Sequence, residues 1–164
     1  VLRLANRNTL NLHPSLLPKY KGCFSAPWVI INQETVTGIT FHQMIERVDE
    51  GGIFYQKEIK LHGDETGYSL YHKLASSFVQ EFDLFFTQFM SDSLRVKPMP
   101  AGGTYHSRSV PYDGKINPRW DKPRIDAFIR ALFFPPKVGA LLERDGEFLE
   151  CSSMEEYLKH IDSK

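Results

Sequence analysis

Asn11 and His13 stand two residues apart in NLHPSLLPKYKG, residues 11–22. In an extended strand that spacing turns both side chains to one face. Pro14 removes a backbone donor and biases His13 away from helix, so the strand is expected to end there. An uncharged amide beside an imidazole suits a carbonyl whose oxygen becomes an anion: the amide holds the oxygen, and the ring stabilises charge or moves a proton. Asp49, in the turn DEGG at 49–52, reaches the same place if the strand before it neighbours the first. A carboxylate there favours the imidazolium and orients the ring or a water. The pair alone also fits a satisfied strand-end network. By residue type, His13, His42 and Asp49 also form a two-histidine, one-carboxylate metal set, although the Asn-x-His-Pro context calls for no metal.

The elements that must position these residues are legible around them. Residues 9–13 alternate as a strand, residues 26–32 (APWVIIN) suit a short buried helix, and 36–44 and 53–61 are rich in strand formers on either side of the acidic turn. From 66 to 92, Leu70, Leu74, Phe78, Phe82, Phe85, Phe86 and Phe89 recur mostly every three or four residues. This predicts one long amphipathic helix with the phenylalanines in the core. Two prolines and two glycines at 98–103 break the pattern, and strand fragments and turns follow to about 120. Residues 123–134 open with proline and repeat apolar residues as a helix, which Pro135 and Pro136 stop. A hairpin around Arg144-Asp145-Gly146-Glu147 comes next, and Ser152 with Glu155 has the capping-box spacing for a last helix.

The chain has 164 residues, 41% hydrophobic and 24% charged, with twenty basic and twenty acidic residues. Such a balance suits a globular domain, alone or with a small appendage, and gives no global field for nucleic acid or an anionic membrane. Cys23 and Cys151 lie far apart without CxxC spacing, which fits reduced thiols in the cytoplasm. No stretch approaches the roughly 18 apolar residues of a membrane span. The first residues, VLRLANRNTLNLH, lack Met and pass at once into a strand, from which a preceding N-terminal region is expected.

Three ordered segments, NLHPSLLPKYKG at 11–22, TGITFHQM at 37–44 and DEGGIFYQ at 49–56, closely resemble the folate-dependent formyltransferase family. The resemblance continues more loosely through LYHKL at 70–74 and RALFFPPKVGA at 130–140. It implies an α/β fold, the C-terminal part of a Rossmann-like core, over residues 1–100, followed at 101–164 by a linker helix and a small β-rich appendage. The implied reaction is formyl transfer from 10-formyltetrahydrofolate, as cosubstrate, to a primary amine. Asn11 would hold the formyl oxygen, His13 would stabilise the tetrahedral intermediate, and Asp49 would support His13 and assist proton removal from the amine. His42 would shape the loop near the pterin, and the backbone of 45–49, including Ile45, Val48 and Asp49, would form part of the folate pocket. Family members carry roughly a hundred further residues before the Asn-x-His strand, so this chain alone is expected to hold the trio without the whole cofactor site.

The amine is narrowed by charge and length. Recognition of tRNA needs phosphate contacts from Lys and Arg, yet residues 101–164 hold ten basic and ten acidic residues. They are also too short for the extra barrel of the tRNA enzymes. A nucleotide-linked amino sugar is therefore the expected substrate, with Tyr20, Lys21 and Tyr105 as candidate contacts and His106 and Arg108 as weaker ones. A homodimer is compatible with the sequence. The alternatives are a methionyl-tRNA formyltransferase and a noncatalytic folate- or sugar-binding module.

Overall fold

The computed structural model describes residues 9–162. Residues 1–8 and 163–164, at the outer ends of the two expected segments, lie outside the described residues. Strand β1 (Leu10–His13) is followed by the two-residue β2 (Lys21–Gly22), helix α1 (Ser25–Ile31), β3 (Val36–Gln43) and β4 (Ile53–Lys60). Helix α2 (Gly67–Met90), β5 (Tyr105–His106), α3 (Lys122–Leu132), β6 (Ala140–Arg144), β7 (Glu147–Cys151) and α4 (Met154–Asp162) complete the mixed α/β chain.

Antiparallel pairing in the order β1-β3-β4 makes the sheet that carries the candidate site. Its middle strand, β3, is buried on both faces from Thr37 to His42, as a run of strand formers between two neighbours should be. The condition set for Asp49 is met, because the strand that leads into its turn pairs directly with β1, and Asn11 lies opposite His42. The β3-β4 register slips between Phe41 and His42. Such an irregularity bends a strand and re-aims the side chain beside it, which here is His42.

Thr66 caps α2 through a reciprocal box with Ser69. Leu70, Leu74 and Phe85 of α2 are buried, and Phe85 stacks on Phe41 with ring centroids 4.1 Å apart. The expectation of a wholly buried phenylalanine stripe fails at Phe82 and Phe86, which are 38% and 43% exposed and stack on each other. Periodicity marks a helix's apolar side but not how much of that side a neighbouring element covers.

Helix α3 is capped by Asp121 and buries Ile125, Ala127, Phe128 and Ile129 in the same core cluster as Val29, Ile39 and Phe41. The β6-β7 hairpin turns on Asp145 and Gly146, both with positive φ, the backbone that a two-residue turn of this hand requires. At α4 the expected Ser152–Glu155 box is displaced by one residue. Ser153 accepts from the Glu156 N–H, Glu156 accepts from the Ser152 amide and hydroxyl, and Glu155 pairs instead with Lys159.

Candidate active site

Four polar side chains from β1, β3 and the following turn converge. Alternation along β1 sets Asn11 and His13 on one face, and cross-strand register adds His42. The turn returns Asp49 to them with φ of 53°, a left-handed conformation that aspartate tolerates better than most residues. Asp49 is buried, yet every direction around its carboxylate holds a partner. Oδ1 accepts from Asn11 Nδ2 at 3.3 Å and lies 3.4 Å from His42 Nε2. Oδ2 accepts from the Gly22 N–H at 2.8 Å and lies 3.3 Å from His13 Nδ1. The Gly22 contact depends on having no side chain, since φ is +88° and a Cβ there would meet the His106 carbonyl oxygen at 2.1 Å.

The hydrogen bonds fix proton positions. His13 Nε2 lies 2.8 Å from the Tyr20 carbonyl oxygen, so a neutral His13 carries its proton on Nε2 and donates there. A proton arriving at Nδ1 would then meet Asp49. His42 Nδ1 donates to the Gln43 carbonyl at 3.0 Å, which leaves Nε2 to accept from Asn11 Nδ2 at 3.0 Å. Burial lowers the His13 pKa below its ordinary value, against the raising pull of Asp49 and the Tyr20 carbonyl, with His42 adding to the lowering. Burial alone would raise Asp49, but His42 and His13, in the states that carry a proton on the nitrogen facing it, and the Gly22 N–H outweigh burial and hold the carboxyl below its usual range. The arrangement is thus an ionised carboxylate beside a neutral imidazole, a pair able to share one incoming proton.

Other expected residues fall around this centre in different ways. Ile45 and Val48, like Met44, are exposed apolar side chains on the loop that leads to Asp49. Lys21 Nζ is 3.2 Å from Glu50, and Tyr105, 61% exposed, pairs with Lys21 across the parallel β2-β5 contact. Tyr20 corrects its expectation: the ring is 5% exposed and its hydroxyl donates to Glu34, so its contribution here is the backbone carbonyl. A mid-loop aromatic expected to meet substrate is an anchor for the loop. His106 stacks on Trp28 with centroids 4.3 Å apart, whereas Arg108 is exposed. His13, His42 and Asp49 point their facing atoms at one another, and no group of three His, Cys, Asp or Glu side chains arranged to hold a metal occurs among the described residues.

Sequence reasoning missed Gly22 and Ser25. Ser25 Oγ lies 3.5 Å from His13 Nε2. The Lys-Gly pair at the end of the loop was a signal for positive φ, whereas nothing local marks Ser25. Both border a cleft of about 580 Å³ that also meets Pro14, Phe24, Tyr71, Phe134 and Lys137.

A family model described as Formyl transferase matches residues 1–82, half of the chain. The GDP-perosamine N-formyltransferase of Brucella melitensis biotype 1 is 39% identical over 157 residues, 95% of this chain and 60% of that protein. The chain thus spans about three fifths of the length of this relative. Among solved structures, an N-formyltransferase from Helicobacter canadensis, in complex with folinic acid and dTDP-3-aminofucose, superposes with a TM-score of 0.74 at 26% identity, over 84% of this chain and 51% of that one. A 4-N formyltransferase from Francisella tularensis gives a TM-score of 0.78 at 23% identity, over 88% of this chain and 61% of that one, a likeness of fold.

Proposed function

This chain belongs to the formyl transferase family, and from that premise we propose that its site transfers the formyl group of 10-formyltetrahydrofolate to the primary amine of a nucleotide-linked amino sugar. What supports this most is Asp49, one carboxylate within reach of Asn11, His13 and His42 together. The names of the relatives, a GDP-sugar enzyme and an enzyme solved with folinic acid and a dTDP-sugar, support the two substrates. Cys23 and Cys151 are free thiols, which suits a reducing compartment such as the cytoplasm.

In this reading the amine nitrogen bonds to the formyl carbon and gives up a proton to the Asp49–His13 pair. His13, then protonated at Nδ1 against Asp49 with Nε2 donating to the Tyr20 carbonyl, acts on the oxyanion as a nearby positive charge and not through a free N–H. Asn11 steadies that oxygen. Both of its N–H groups are engaged, with Asp49 and His42, so holding the oxygen means exchanging one of these partners. Collapse breaks the carbon–N10 bond, and the proton goes to the departing nitrogen. The exposed side chains of Ile45 and Val48 would take the folate ring. The cleft beside Gly22 and Ser25 would take the nucleotide sugar, with Lys137 available for phosphate and Phe134 and Tyr71 for the base. Lys21 and Tyr105 would meet the substrate at the edge of the site.

Release of tetrahydrofolate by the protein carrying this chain tests the reading. The amines are a panel of nucleotide-linked amino sugars, with charged initiator tRNA for comparison. Release with a sugar, reduced at least about a hundredfold by Asn11→Ala, is expected. Release with the tRNA alone overturns the sugar assignment, and folate binding without release for any amine favours a noncatalytic module.

A further inference from the structure

The loop between β1 and α1 carries two groups on which the site depends, the Tyr20 carbonyl for His13 and the Gly22 N–H for Asp49. It also holds three residues with positive φ, Tyr20, Gly22 and Phe24, within five positions. Two of these are not glycine, and a backbone of that kind persists only where its surroundings over-determine it. Inside the sheet the loop is tied by Thr40, which accepts from the Leu17 N–H, and by Gln56, which donates to the Leu17 carbonyl. Neither tie reaches Tyr20 or Gly22.

The Tyr20 ring is anchored through its hydroxyl by Glu34 and Asn32, and the segment 104–106, more than eighty residues downstream, holds the backbone on either side of it. The Thr104 carbonyl accepts from the Lys21 N–H at 2.9 Å, and the His106 carbonyl accepts from the Cys23 N–H at 3.0 Å. Between them lies the parallel β2-β5 contact. The Thr104 hydroxyl oxygen accepts from the Tyr20 N–H at 2.8 Å, and it is the one side-chain atom among these partners. The Tyr20 backbone is therefore bound at both ends of the residue: its N–H by Thr104, and its C=O by His13 at 2.8 Å and, more weakly, by the Ser25 hydroxyl at 3.4 Å.

We propose that Thr104 is a positioning residue, whose hydroxyl holds the Tyr20 backbone so that the Tyr20 carbonyl keeps the His13 ring turned toward Asp49. The proposal rests on the formyl-transfer reading for its kinetic consequence, but not for its structural one. Thr104 touches neither His13 nor Asp49 and is itself exposed, so its substitution leaves the core intact. Thr104→Val keeps the shape and removes the acceptor, whereas Thr104→Ser keeps the acceptor.

Two measurements on the protein carrying this chain decide the matter. Nitrogen chemical shifts of the His13 ring, followed by NMR through a pH titration, report the Tyr20 contact without any substrate. The groups that face His13 are Asp49, His42, the Tyr20 carbonyl and the Ser25 hydroxyl, and only the Tyr20 contact should change. That contact favours the protonated ring, so in Thr104→Val the Nε2 signal shifts and the titration midpoint moves to lower pH. In the kinetic arm, Thr104→Val lowers kcat about tenfold or more while KM for both substrates stays within about twofold. Thr104→Ser should restore both readouts. Wild-type His13 signals in Thr104→Val overturn the proposal, as does a changed KM with kcat intact or a failure of serine to rescue. If the wild-type protein transfers no formyl group, the transfer reading fails and the His13 titration alone still decides the role of Thr104.

Discussion

Two carboxylates in this molecule are equally buried, Asp49 and Glu65, each in a residue 8% exposed. Each also has a lysine–glutamate ion pair close by, Lys21 with Glu50 beside Asp49 and Lys73 with Glu65 itself. Their partners differ in kind. Glu65 accepts from the His62 and Gly63 N–H groups at about 3.0 Å and from Lys73 at 3.0 Å, donors that keep their protons at any ordinary pH. Burial would raise its pKa, but these donors outweigh burial and take it down to about 2. Asp49 is held by an amide that has two acceptors, two imidazoles and a single backbone N–H. Fixed donors make Glu65 a brace for the turn before α2. Exchangeable and titratable partners leave Asp49 able to take part in proton movement, at the cost of a less settled site.

The most damaging way to test this contrast is Asp49→Asn. Formyl transfer should fall by about a thousandfold or more, equivalent to about 4 kcal/mol of transition-state stabilisation. Unfolding free energy should stay within about 1 kcal/mol, because the amide oxygen still accepts from Gly22 and a buried charge is removed. Chemical denaturation beside the tetrahydrofolate assay measures both quantities. A large loss of stability would make Asp49 another brace.

Glu65→Gln should show the converse. One end of the new amide presents N–H groups to backbone donors or to Lys73, so stability falls by about 2 to 3 kcal/mol while activity per folded molecule is unchanged. The pH dependence follows from the direction of the shift. The Glu65 pKa is about 2 in the folded chain against an ordinary 4.5, so its stabilisation is fully present above pH 4.5 and is lost as pH falls from there towards 2. His13 acts at higher pH. Its pKa is lowered from 6.5, so the unfolded chain takes the proton first and stability begins to fall as pH drops below 6.5. Denaturation midpoints between pH 7 and 3 should show both steps, and Glu65→Gln should reduce only the lower one, whose remainder belongs to other carboxyls held low, Asp49 among them.

How these two regions were legible in the sequence also differs. Strand alternation was enough to bring Asn11 and His13 to one face, and the β-branched run before the acidic turn marked β3 as a strand, but its pairing with β1 was only a condition until the fold showed it. The Asp-Gly hairpin and the helix at 122–132 were likewise written in local residue chemistry. Glu65 carried no signal, because a glutamate two residues before a helix reads as solvated until the preceding turn folds back onto it. The β2-β5 contact was equally silent, since two-residue strands have no period and their partners lie far apart in the chain. Tyr20 was misread for a related reason. Its place just after the catalytic strand suggested a substrate contact, whereas Glu34 and Asn32, which bind its hydroxyl, come from beyond α1.

The smallest effect separates the two lysines. Lys73 serves a carboxylate whose other partners are fixed, whereas Lys21 faces Glu50, a more exposed carboxylate that Arg47 also approaches at 3.5 Å. A Lys21→Met variant should lose less than about 1 kcal/mol of stability, because Glu50 remains hydrated and near a second cation. Its kcat should hold, since no atom of Lys21 touches Asn11, His13 or Asp49 among the contacts described. If Lys21 turns from Glu50 to the substrate, the gain on binding is only the difference between two ion pairs, and KM for the nucleotide sugar rises by less than about tenfold. An unchanged KM would leave Lys21 as a partner of Glu50 alone, and a loss of stability as large as that of Glu65→Gln would erase the distinction between the two lysines.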